Sequence, residues 1–76
     1  MTATVVSEID PKNPARVGYR ITGPSFEAVQ REIDRLMNAP HVERGMFQLP
    51  FDDGEGEPEH KFIAFGQTFA RAPEFA

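Results

Sequence analysis

Between Ser25 and Asn38 the chain reads SFEAVQREIDRLMN, and this stretch limits the fold more than any other. Phe26, Val29, Ile33, Leu36 and Met37 recur at helical spacing, while Glu27, Arg31, Asp34 and Arg35 face the other way. A lone helix with one apolar stripe has to bury that stripe against something, and the segments on either side of it have β character. Ser25 is placed to cap the N-terminus, with Glu27 in the first turn against the positive end of the dipole. Asn38 suits a left-handed C-cap, and Pro40 forbids continuation.

The flanking segments supply four strands. Thr2 to Ile9 is β-prone through Val5, Val6 and Ile9, and the Asp10–Pro14 segment after it is dense in turn residues. Arg16 to Thr22 alternates cleanly, with Val17, Tyr19 and Ile21 on one face and Arg16, Gly18, Arg20 and Thr22 on the other. Beyond the helix, residues 40–45 read as a connecting loop. Met46 to Phe51 then alternates, placing Phe47, Leu49 and Phe51 together, with Pro50 marking an edge or an end. Lys61 to Ala70 is apolar on both faces, Phe62, Ala64 and Gly66 against Ile63, Phe65 and Phe69, which suits a central strand. The predicted architecture is α+β with order ββαββ: a four-stranded, mostly antiparallel sheet with one helix on one face.

Seventy-six residues make a single small domain, 1–76, ending in an unpatterned tail from 71 to 76. There is no cysteine, which removes disulfides and thiolate chemistry and fits a reducing compartment. No apolar run approaches the ~20 residues that span a bilayer, and the N-terminus lacks the basic start and apolar core of a signal peptide. The expectation is a soluble, cytoplasmic protein without membrane contact.

The net charge of −4 is concentrated in one segment. Asp52, Asp53, Glu55, Glu57 and Glu59 crowd the 52–59 hairpin loop, leaving seven acids against eight Lys and Arg elsewhere. That balance argues against nucleic-acid binding by bulk electrostatics, which needs a basic face. The loop departs from the calcium-loop template, with Glu57 where glycine is required and Ile63 at the twelfth position. It reads instead as a solvated loop or a docking surface for a basic partner. His41 and His60 have no ligand-like spacing to another residue, and His60 between Glu59 and Lys61 reads as a surface residue. No metal or cofactor is expected. HKFIAFGQTF alternates basic and aromatic residues as base-stacking strands do, but its glycine and aromatic positions do not match an RNA-recognition signature.

One helix leaves one sheet face uncovered, unless Phe75 in the tail folds back over it. The first expectation is therefore a non-catalytic protein-binding module, an inhibitor or adaptor of a larger protein, acting through that face, the acidic loop or both. The contact residues would be Arg16, Arg20 and Phe62 together with Asp52, Asp53, Glu55, Glu57 and Glu59. A homodimer through the face is another way to cover it. The alternative is a nucleic-acid binder using Arg16, Arg20, Lys61 and the strand phenylalanines. A small enzyme ranks third, because no nucleophile or acid–base pair can be assembled from the residues.

Overall fold

The computed structural model describes residues 3–53 and 57–71. Its elements run β1 (Thr4–Asp10), β2 (Asn13–Gly23), α1 (Phe26–Met37), β3 (Val42–Phe47), β4 (Phe51–Asp52) and β5 (Phe62–Ala70). The class is α+β: one helix packed on an open antiparallel sheet with spatial order β1-β2-β5-β3, and β4 paired to β5 beyond the end of β3. Both β2 and β3 run antiparallel to β5, so they are parallel to each other with the last strand inserted between them. The helix that joins them completes a split β-α-β unit.

The β1–β2 connection is tighter than the proline-rich sequence suggests. Only Pro11 and Lys12 lie between the strands. Asp10 Oδ1 accepts from the Lys12 amide at 2.9 Å and Asn13 Oδ1 from the Ala15 amide at 3.2 Å, so both side chains bond backbone two residues on.

Helix α1 starts as its cap residue dictates, with Ser25 in an extended conformation accepting from the Ala28 amide at 3.2 Å. Its stripe buries Ala28, Val29 and Ile33, while Phe26 and Met37 lie at the margins and stay exposed. Asn38 does not adopt the left-handed conformation expected of it. Its φ is −98°, and its side-chain amide donates to the Asp34 carbonyl at 2.7 Å, satisfying one of the last carbonyls directly. Val29 and Ile33 meet Ile21 and Ala64 in the core, flanked by Val5, Tyr19, Leu36, Phe47 and Phe62. Each fully buried aliphatic side chain contributes about 1.5–3 kcal/mol.

The third strand differs most from its sequence pattern. It begins at Val42, inside the expected loop, and ends at Phe47. Phe47 pairs with Gly66 and Phe51 with Ile63, so one extra residue is accommodated between β3 and β4. A one-residue offset in a ladder sends later side chains to the opposite face. Phe47 therefore packs under the helix beside Tyr19, ring centroids 5.9 Å apart. Phe51 lands on the other side of the sheet, and Leu49 projects into solvent. Pro50, which cannot donate to a ladder, sits at the break.

Candidate functional site

The register determines what the helix-free face of the sheet presents. Residues paired across antiparallel strands share a side, so four rows cross it. Thr4, Thr22, Ile63 and Phe51 form one; Val6, Arg20 and Phe65 the next; Glu8, Gly18, Gln67 and Met46 the third; Arg16, Phe69 and Arg44 the last. Val6, Met46, Phe51 and Phe65 are exposed there, Phe65 retaining 44% of its surface in solvent. Gly18 has no side chain to contribute, and the gap above it opens a shallow depression of about 500 Å³ walled by Val6, Glu8, Arg16, Arg20, Phe65 and Gln67. A second depression of about 390 Å³ lies across Phe65 and Gln67, against Met46 and Gln48.

The arginines of this face differ in their engagement. Arg44 lies over the Phe69 ring, its guanidinium carbon 4.5 Å from the centroid, a cation–π contact. Arg16 donates to Gln67 at 2.6 Å and pairs with Asp10 at 3.1 Å. The Lys12 amide, and after it the Arg16 guanidinium, hold the Asp10 carboxyl below the usual carboxylate range. Arg20, between Val6 and Phe65, has no acidic partner among the described residues.

Other expected contact residues lie elsewhere. Phe62 pairs with Gly23 and packs against the core cluster under the helix, so it is no part of the open face. Phe65 and Phe69 stand on that face instead. Asp52, Asp53, Glu57 and Glu59 are exposed at the β4–β5 end of the sheet, while Glu55 lies outside the described residues, as do tail residues 72–76. Asp52 approaches Lys61 at 3.8 Å, and the Asp53 amide donates to the Lys61 carbonyl at 2.8 Å. From Phe62 to Phe69 along β5 is about 23 Å at strand rise. Asp52, Asp53, Glu57 and Glu59 on one side and the Arg16–Phe69–Arg44 row on the other thus lie at opposite ends of the sheet, not in one site.

His60 is half-buried, contrary to its sequence context. Residues Pro58–His60 form a single 3-10 turn, and the ring Nδ1 meets Thr22 Oγ1 at 2.9 Å. No third side chain orients this ring among the described residues, so the pair reads as a latch holding the turn on β2. Among the described residues no cluster of three His, Cys, Asp or Glu could hold a metal ion. Arg44 was hidden from sequence reasoning by the register break between Val42 and Arg44, which put it inside the expected 40–45 loop.

Comparison with known proteins yields no matching family model, no matching curated protein and no matching solved structure. Any functional reading therefore rests on the geometry alone.

Proposed function

We propose that the chain is a non-catalytic docking module that binds a larger protein through the helix-free face of its sheet. One observation carries this reading: Phe65 and Phe69 sit on that face among Arg16, Arg20 and Arg44, with Val6, Met46 and Phe51 around them. Aromatic, methionine and arginine side chains are the types enriched at protein interfaces, whereas lysine and glutamate are depleted. Arg20 is left to meet an acidic group, so the partner segment carries a carboxylate beside an apolar side chain that fits over Gly18. The acidic loop, at the other end of the sheet, raises the rate of encounter with any basic surface nearby.

The second reading is single-stranded nucleic acid, and the specific observation in its favour is an exposed Phe65 beside Arg20, which has no acidic partner among the described residues. Two facts rank it lower. Glu8 and Asp10 share the face with the arginines, and the chain as a whole is −4. A phosphate backbone gains little there.

Tagged protein incubated with extract of its native cells, with and without nuclease, separates the two. The first reading expects a retained protein that survives nuclease and is lost with the Arg20→Ala, Phe65→Ala double variant. Retention of nucleic acid, and sub-micromolar binding to single-stranded RNA or DNA at physiological salt, would replace it with the second.

A further inference from the structure

The two edges of the sheet are not alike. On β3 the register breaks between Val42 and Arg44, and the chain leaves the ladder at Pro50. Bulges and prolines of this kind are how natural sheets block edge-to-edge pairing. On β1 the register with β2 runs unbroken from Thr4 to Ile9, with no lysine or proline in the strand. Helix α1 packs across β2, β5 and β3, leaving β1 at the margin, where Val6 is 48% and Ile9 62% exposed.

The phase of the free edge follows from two hydrogen bonds. The Gln48 amide donates to the Phe65 carbonyl at 2.9 Å and the Asp53 amide to the Lys61 carbonyl at 2.8 Å, so odd-numbered residues of β5 bond toward β3 and β4. Backbone polar groups alternate sides along a strand. Ala64 then bonds Ile21, Arg20 bonds Val6, and the groups of Val5, Ser7 and Ile9 point outward from β1.

That outward set is complementary to itself. We propose that the protein dimerises through β1, antiparallel about a twofold axis at Ser7, joining two sheets into one. Ser7 lies opposite the partner's Ser7, and Val5 opposite the partner's Ile9. Each of the three pairs exchanges two bonds, about six in all. The pairing covers Ile9, the most exposed apolar side chain of β1. On the helix-free face the partner's Glu8 falls opposite Val6, in the row of Arg20. Two strand spacings, about 9–10 Å, separate their backbones, which these long side chains can bridge. An axis at Glu8 would oppose like charges, and an axis at Val6 would leave Ile9 beyond the strand, against Ala3. The backbone pairing of the dimer uses only the β1 edge, but the partner copy's Glu8 and the carboxylate of a docked partner compete for Arg20.

The chain has no native cysteine, so one introduced thiol reports the register without background. Ser7→Cys should form a disulfide-linked dimer under mild oxidant, faster by tenfold or more than Val6→Cys, or than Asp34→Cys on the exposed helix face. Sedimentation of the wild type from low micromolar to millimolar concentration should show a monomer–dimer equilibrium. Ser7→Pro removes only an outward amide and should be monomeric throughout with an unchanged circular dichroism spectrum. If that variant fails to fold, the cysteine series decides. A wild type monomeric at every concentration, a folded Ser7→Pro that still dimerises, or cross-linking no faster at Ser7 than at Asp34 would each overturn the proposal. Preferential cross-linking at Val6 would overturn the register.

Discussion

The same strands build both faces of this sheet, yet the two faces are governed by different physics. Under the helix, Ile21, Val29 and Ala64 are fully buried and Ile33 retains 3% of its surface. On the other side, residues one position away in sequence, Arg20 and Phe65, stand in solvent. A single helix makes the difference. The covered face is intolerant because every volume change meets a packed neighbour, whereas the open face is tolerant and thus available for contact chemistry.

Changes on the covered face should have the largest effects. Ile33→Asp places a carboxylate among Ile21, Val29 and Ala64 with no cation to meet it, and should unfold the domain. The preceding residue of the same helix provides the contrast. Glu32 is half-buried and accepts from Arg35 at 2.6 Å, outside the core cluster, and Glu32→Ala should cost less than ~0.5 kcal/mol. Thermal melts of the pair would break the comparison if they matched.

Gly66 should come second. A Cβ there would overlap the Phe47 ring and approach the Met46 carbonyl oxygen at 2.7 Å. Gly66→Ala should therefore destabilise by about 1–3 kcal/mol, the usual cost of overpacking, measured by urea unfolding. Gly18 is its counterpart on the open face. Among the described residues the only atom within 4 Å of a Cβ at Gly18 is the Glu8 carbonyl oxygen at 3.8 Å, so Gly18→Val should leave stability unchanged or slightly raised. It fills the depression between Val6, Arg16 and Phe65, so retention of the native partner should be lost while the melt is intact. Equal losses of stability at the two glycines would mean that the faces do not differ as described.

The smallest effect lies at the β1–β2 turn. The folded Asp10 carboxyl is held below its unfolded value, so its contribution is present above the ordinary carboxylate range and is lost as pH falls through the folded value. Asp10→Asn should melt slightly below the wild type at neutral pH, with the gap closing in acid. A gap that widened in acid would contradict the sign.

Much of this was legible from residue patterns, and the failures have physical causes. The helix and its cap followed from the 3.6-residue period and Ser25, because both are local properties of about a dozen residues. The clean alternation of Arg16–Thr22 correctly separated Tyr19 and Ile21 from Arg16 and Arg20. Phe51 was assigned to the side of Phe47 because alternation cannot reveal an extra residue in a ladder. Phe62 and Phe65 were indistinguishable within a strand apolar on both sides. His60 gave no sign of its latch, since Thr22 lies 38 positions away.

What the sequence determined by itself is the inventory of elements: a capped amphipathic helix between β segments, and acid concentrated in one loop. Tertiary structure alone decided that β5 enters between β2 and β3, which row of its phenylalanines the helix covers, and that Arg16 and Arg44 end up on either side of Phe69. The reason is range. Helix period, capping and turn chemistry act between neighbours along the chain, whereas strand order and register depend on pairings that no local pattern encodes.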